Sequence, residues 1–156
     1  MPIDKNEFRQ ALGHFAAGVT IITTRGADGA PYGLTATAFS SVSLDPPLVL
    51  VCVDKKSETY PHFASGVFAV NLLTSKQEGL SGTFAKSGGD KFAGMTCEQG
   101  NTGAPLLADT LGYLECRIVH TYAGGDHTIF VGEVVATRMR DGDPLLYYRG
   151  VYRQIR

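Results

Sequence analysis

Tryptophan is missing from this 156-residue chain, cysteine occurs only three times, and no apolar run approaches the ~20 residues that a membrane-crossing helix requires. An excess of either charge is missing too: 14 Lys and Arg against 15 Asp and Glu leave a formal net charge of −1. That balance excludes the basic field that attracts nucleic acid or an anionic membrane. Cys52, Cys97 and Cys116 are odd in number and far apart, which argues against a disulfide framework and a cysteine-based zinc site. Cys52 and Cys116 fall inside strand-like runs and are expected to pack as small apolar residues. His14, His62, His120 and His127 do not cluster with acidic residues at ligand spacing, so no metal is expected. No G-x-G-x-x-G opens a helix after a strand, and neither G-x-x-x-x-G-K-[ST] nor G-x-S-x-G occurs. A Rossmann domain, a P-loop and a serine hydrolase are thereby disfavoured. Any nucleotide has to be held by loops on a β scaffold. The polar opening MPIDKNEFRQ is unlike a secretory signal, and a reducing cytoplasm suits the cysteines.

What the chain does hold is glycine, 19 residues where about 7% is average, which favours turns and close backbone approaches over long helices. With 44% hydrophobic residues it can bury a real core, and residues 1–156 read as a single domain. Asp4 and Glu7 form a helix-capping box ahead of Phe8, Leu12 and Phe15, with Gly18 closing the helix. Residues 19–24 are a β-branched strand, and residues 48–53 are apolar enough to be buried on both sides. A short helix over 57–64, a strand over 67–72, and a helix opened by a second Ser75–Glu78 box and running to about Phe84 follow. Residues 85–109 are glycine-rich and irregular. Residues 111–122 and 128–138 form a hairpin around Ala123-Gly-Gly-Asp-His127. A last strand pair, 145–148 and 151–153, flanks Arg149-Gly150. Many strands, short turns and two or three covering helices predict a mainly β fold, a small closed barrel.

Three segments carry candidate chemistry. Residues 31–47, PYGLTATAFSSVSLDPP, combine small residues and hydroxyls (Thr35, Ala36, Thr37, Ser40, Ser41) with a double proline that ends any arriving strand. Small side chains let a planar ligand approach the backbone, and hydroxyls bind its edges without charge. A solvated Ser/Thr turn has the same composition. The run Asp54-Lys55-Lys56-Ser57-Glu58-Thr59 follows a buried strand, and its lysine pair beside Ser57 and Thr59 at an expected helix start offers a phosphate positive charge, hydroxyls and N–H groups. A solvated charge run with a cap is the bland equivalent. Asp126-His127 reads by itself as a hairpin tip.

Together with FRQALGHFAAGVTIITT at residues 8–24, these segments occur in the order that resembles the short-chain flavin reductase family, the reductase components of two-component flavin monooxygenases. The resemblance runs from Phe8 to Arg153 and includes PLLYY at 144–148. It implies a flavin-binding split β-barrel, FMN or FAD as cofactor, NADH or NADPH as hydride donor, and a homodimer with flavin near the subunit interface. It also implies a monooxygenase partner that receives reduced flavin. By the same resemblance Thr35, Ala36, Thr37, Ser40 and Ser41 line the flavin. Asp54, Lys55, Lys56 and Ser57 surround its ribityl chain and phosphate, with Phe84 and Lys91 nearby. His127 has the catalytic role, and Tyr148 helps to position the nicotinamide. Asp90-Lys91-Phe92 departs from the family's Asp-Arg-Phe and lacks the guanidinium fork. The rival readings are a non-catalytic flavin-binding or redox-sensing module on the same barrel, a pyridoxine phosphate oxidase-like enzyme, and a structural β-barrel.

Overall fold

Short turns separate strands throughout the computed structural model, which describes residues 2–155. The first half holds helix α1 (Lys5–Gly13) and strands β1 (Ala17–Gly18), β2 (Thr20–Arg25), β3 (Pro31–Ala36), β4 (Phe39–Ser43) and β5 (Leu48–Asp54). A 3-10 segment (Tyr60–Ser65), strand β6 (Val67–Leu72) and helix α2 (Glu78–Ala85) follow. Strands β7 (Cys97–Gln99), β8 (Pro105–Leu107), β9 (Gly112–Gly124), β10 (His127–Met139), β11 (Leu146–Tyr148) and β12 (Val151–Arg153) complete the chain. Seven strands form one antiparallel sheet in the order β3-β2-β6-β9-β10-β5-β4. Its two edge strands, β3 and β4, are joined only by Thr37 and Ala38. Three Cα steps of about 3.8 Å cannot cross a flat seven-stranded sheet, so the sheet curls until its edges meet. At the meeting point the Cys52 N–H donates to the Ala38 carbonyl at 3.1 Å.

The interior of the curl holds Ile22, Val49, Val51, Val53, Phe63, Phe68, Val70, Cys116 and Phe130. Phe63 and Phe130 stack there at 4.7 Å. β2 is buried on both faces because its other face, with Ile21, meets Val19, Leu73, Phe84, Leu107 and Leu145. Burial pushes the Cys116 thiol up to about 12, with the Glu115 charge adding to the effect, so this thiol is inert packing. Among the described residues no helix is long and apolar enough to cross a membrane.

Several expectations need correction. Asp4 does cap α1, accepting from Asn6 and Glu7 N–H, but the helix ends at Gly13, and Gly18 pairs with Leu146 instead. Ser75 caps nothing: α2 starts from Gln77, whose side chain accepts the Thr74 N–H, while the Ser75 N–H goes to Asp143. β5 alternates rather than burying both faces: Val49, Val51 and Val53 face the core, and Leu48, Leu50 and Cys52 are half-exposed. The helix expected over 57–64 is a turn followed by the 3-10 segment. The 85–109 stretch contains β7 and β8, each three residues long and paired with one another.

Buried polar groups fasten that stretch to the sheet. The Asn71 amide donates to the Ile21 carbonyl and Thr23 Oγ1, and its oxygen accepts the Leu107 N–H at 3.0 Å. Thr23 Oγ1 donates onward to the Pro105 carbonyl at 2.6 Å. The Glu115 carboxylate, 1% exposed, accepts from the Asn101 and Thr102 N–H groups and the Thr102 hydroxyl. Replacing Asn71 with Ala strands the buried Leu107 N–H and is expected to lower stability by about 1–3 kcal/mol. Urea denaturation checks this, and a loss under about 0.5 kcal/mol would show that Asn71 is not a fastening point.

Candidate functional site

The β3–β4 corner is held from below and open above. The Thr35 hydroxyl donates to the Ser81 carbonyl of α2 at 2.6 Å, and Thr20 Oγ1 donates to the Ala36 carbonyl at 2.7 Å. Thr35 and Ala36 are half-buried, whereas Thr37, Ala38, Ser40 and Ser41 are exposed. The Ser40 hydroxyl donates to the Ser41 carbonyl at 2.9 Å and still has lone pairs to accept with.

Backbone contacts join this corner to the other two candidate segments. Ala38 is bonded to Cys52, two residues before Asp54, and Asp54 faces His127 across the β5–β10 ladder. The Lys55 N–H donates to the Asp126 carbonyl at 3.0 Å. The 54–57 loop turns its own N–H groups inward: Lys56 to the Asp54 carboxylate, Ser57 to the Asp54 carbonyl, and Thr59 to Ser57 Oγ. This corrects the expectation of N–H groups free for a phosphate. The exposed Lys55 and Lys56 side chains and the Ser57 hydroxyl are the groups an anion can meet.

Thr59, expected to offer its hydroxyl to a phosphate, is buried and acts as a latch instead. Its hydroxyl donates to the Gly33 carbonyl at 3.0 Å, and Lys91 Nζ donates to the same oxygen and to the Phe84 carbonyl, each at 3.3 Å. Two protons of the Lys91 ammonium are thus used and a third is left. Burial pulls the Lys91 pKa below the usual lysine range, against the raising effect of the Glu58 charge. Glu58 accepts the Gly88 N–H, and Tyr32, Gly33, Glu58, Thr59, Asp90 and Lys91 line a cleft of about 110 Å³. Single-point donation to carbonyls needs no guanidinium fork, so lysine suffices in this arrangement.

Phe84 is 1% exposed, set edge-on to Phe92 at 5.0 Å and pressed against Gly33. It supports the cleft wall from behind and has no open face for a ligand, which corrects its expected place among the cofactor contacts. Tyr148 is on the small β1-β11-β12 sheet, where its ring meets His14 and Arg153, and its partners do not include the corner, the 54–57 loop or His127.

His127 is the first residue of β10 rather than part of the turn, which shrinks to Gly125 and Asp126. Its Nδ1–H donates to the Asp126 carboxylate at 2.7 Å, and that bond and the His127 charge hold the Asp126 carboxyl below its usual range. With Nδ1 committed, Nε2 is the nitrogen left for a ligand, and the ring is 41% exposed at the rim. Asp126 is therefore an orienting residue, legible in the sequence only as the neighbour of His127. Among the described residues no three His, Cys, Asp or Glu side chains gather as a metal-holding group.

Residues 12–156 match the family described as flavin reductase like domain. The chain belongs to this family. It is 47% identical over 150 residues to the reductase component of the 4-nitrophenol 4-monooxygenase/4-nitrocatechol 2-monooxygenase of Rhodococcus opacus, covering 96% of this chain and 80% of that one. It is 41% identical over 150 residues to the FMN reductase (NADH) SmoA of Agrobacterium fabrum, covering 96% and 85%. Among solved structures, the Streptomyces globisporus C-1027 NADH:FAD oxidoreductase SgcE6 in complex with NAD and FAD fragments superposes with a TM-score of 0.92 at 38% identity, covering 98% of this chain and 93% of that one.

The cleft of this flavin reductase family member depends on the missing side chain at Gly33. A Cβ there would meet the Phe84 ring at 2.9 Å and the Ile22 carbonyl at 3.2 Å. Gly33→Ala is expected to destabilise the fold by about 1–3 kcal/mol, and Phe84→Leu in the same chain to recover part of that loss. A double-mutant cycle by chemical denaturation reads the coupling. Strictly additive effects would show that the two residues do not press on one another.

Proposed function

We propose that this protein is an NADH-dependent flavin reductase that hands reduced flavin to a separate monooxygenase. The observation that carries the reading is one continuous rim on which the hydroxyl-bearing corner, the Lys55-Lys56-Ser57 loop and the Asp126-oriented His127 meet. The donor set fits a flavin: uncharged Thr37, Ser40 and Ser41 with small Ala36 and Ala38 suit a planar ring, and two ammonium groups beside a hydroxyl suit a phosphate. When bound, the flavin supplies the acceptor for a hydride from nicotinamide. The chain's part is to hold two rings in near contact, which explains why no buried acid–base pair accompanies them. His127 Nε2 accepts from a carboxamide N–H when neutral, and stabilises developing negative charge when protonated. Relatives named for FMN and for FAD leave both flavins as substrates of this reading.

The same reading includes a homodimer. α1 buries none of its residues, and Phe8, Leu12 and Phe15 are 50%, 57% and 80% exposed. Val42 and Leu44, near the corner, add to the uncovered apolar surface. A second copy covers these residues and shields the corner, in a cytoplasmic setting that the three free cysteines suit.

NADH oxidation by purified protein, with and without FMN, FAD or riboflavin, tests the activity; oxidation that ignores flavin removal overturns it. Changing Lys55 and Lys56 to Ala together is expected to weaken FMN about tenfold or more while sparing riboflavin, which has no phosphate. Equal weakening of both ligands returns the loop to a solvated charge run. His127→Ala should keep the melting temperature and flavin affinity, yet lower kcat/KM for NADH by about 1–3 kcal/mol of transition-state stabilisation. Stopped-flow flavin reduction at the wild-type rate and NADH affinity would remove His127 from the site.

A further inference from the structure

We infer that the cleft between α1 and the β11–β12 hairpin binds the diphosphate of the nicotinamide dinucleotide, an assignment that rests on the flavin reductase reading for the identity of the dinucleotide. The cleft measures about 410 Å³ and is lined by Arg9, Gln10, Gly13, His14, Arg149 and Gly150. Two guanidinium groups and no carboxylate line it, on a chain whose net charge is −1. The ion pairs among the described residues are His127–Asp126 and Arg138–Glu98, and neither involves Arg9 or Arg149.

Local structure makes this end of α1 receptive to an anion. A helix C-terminus ordinarily repels negative charge through its uncovered carbonyls. Here the Ala11 and Leu12 carbonyls accept the His14 and Phe15 N–H groups, and the Gly13 carbonyl accepts the Arg149 N–H at 2.8 Å. The Gln10 carbonyl accepts His14 Nδ1–H at 2.7 Å, which leaves Nε2 free. Arg149 sits at φ 51°, a left-handed conformation that non-glycine residues rarely adopt, and its bond to Gly13 fixes its backbone there.

The cleft's neighbour indicates which phosphates it takes. Tyr148 directly precedes Arg149, stands edge-on to His14 at 6.4 Å, and has the Arg153 guanidinium 5.5 Å from its ring centre. An aromatic ring next in sequence to a cleft lined by two arginines matches the adenosine end of the dinucleotide, whose planar ring and diphosphate are one ribose apart and which leaves the nicotinamide end for His127, and guanidinium forks bind phosphate oxygens bidentately. Arg9 and Gln10 lie on a different stripe of α1 from Phe8 and Leu12, since successive residues turn by about 100°. Covering the apolar stripe therefore leaves the cleft open.

ADP-ribose carries the diphosphate without the nicotinamide, so its calorimetric titration into flavin-free wild-type, Arg9→Glu and Arg149→Gln proteins tests the site. Both substitutions change exposed side chains, and an unchanged melting temperature and FMN Kd verify the fold. Each variant is expected to bind ADP-ribose about tenfold more weakly and to show a similarly raised KM for NADH. Unchanged ADP-ribose affinity, or no wild-type binding together with unchanged KM, overturns the assignment. An effect confined to flavin delivery to a monooxygenase overturns it in favour of an acidic protein partner. If the variants lose ADP-ribose while the wild type oxidises no NADH with any flavin, the reductase reading fails and the diphosphate cleft stands.

Discussion

A two-residue link between the two edges of one sheet is the constraint on which the rest of this structure depends. Because Thr37 and Ala38 alone connect β3 to β4, the seven strands have to curl until the edges adjoin. The curl encloses the Phe63–Phe130 core and reduces the exposed edge that an open sheet would offer to aggregation. It also demands small residues at the corner, where two strands and the Cys52 N–H converge. The composition of residues 35–41 thus serves the closure and the proposed ligand surface at once.

The Gly33 carbonyl shows how an edge strand is finished. β3 pairs on one side only, with β2, so its outward carbonyls need partners other than a strand. Thr59 and Lys91 supply them at this position, and in doing so bring the 54–59 loop and the residue 88–92 turn onto β3. Glycine is required because the Phe84 ring occupies the place of its side chain. A hydrogen-bonding need of the sheet edge therefore assembles a cleft from segments nearly sixty residues apart.

Where a signal was local, the sequence disclosed it. The β-branched run at 20–24, the Asp4 cap, and the two long strands around Gly-Gly-Asp-His each act through neighbours a few residues away, and each formed. β7 and β8 escaped because three residues carry no periodicity, and Asn71, Thr23 and Glu115 hold their surroundings through contacts distant in sequence. Ser75 and Glu78 had capping-box spacing, yet Gln77 three residues after Thr74 provided a competing bond that started the helix later. Phe84 looked like a ligand contact by resemblance, and only packing shows its ring turned to Gly33. The proximity of His127 to the 54–57 loop follows from the β5–β10 register, which no local motif records.

Exposure at the rim bears on how tightly the proposed cofactor is held. Lys55 and Lys56 are surface ammonium groups in high dielectric, screened by salt, and their loop directs the Lys56 and Ser57 N–H groups at its own Asp54. Thr35, the most enclosed hydroxyl of the corner, donates its proton to Ser81. What remains for a flavin is a set of individually weak, solvent-facing contacts plus the area that a second copy would close over. A reductase that retains its flavin would place phosphate donors in a buried cradle. One that passes reduced flavin to another protein needs the product to leave, and a surface whose loop N–H groups and most enclosed hydroxyl are already satisfied internally meets that need.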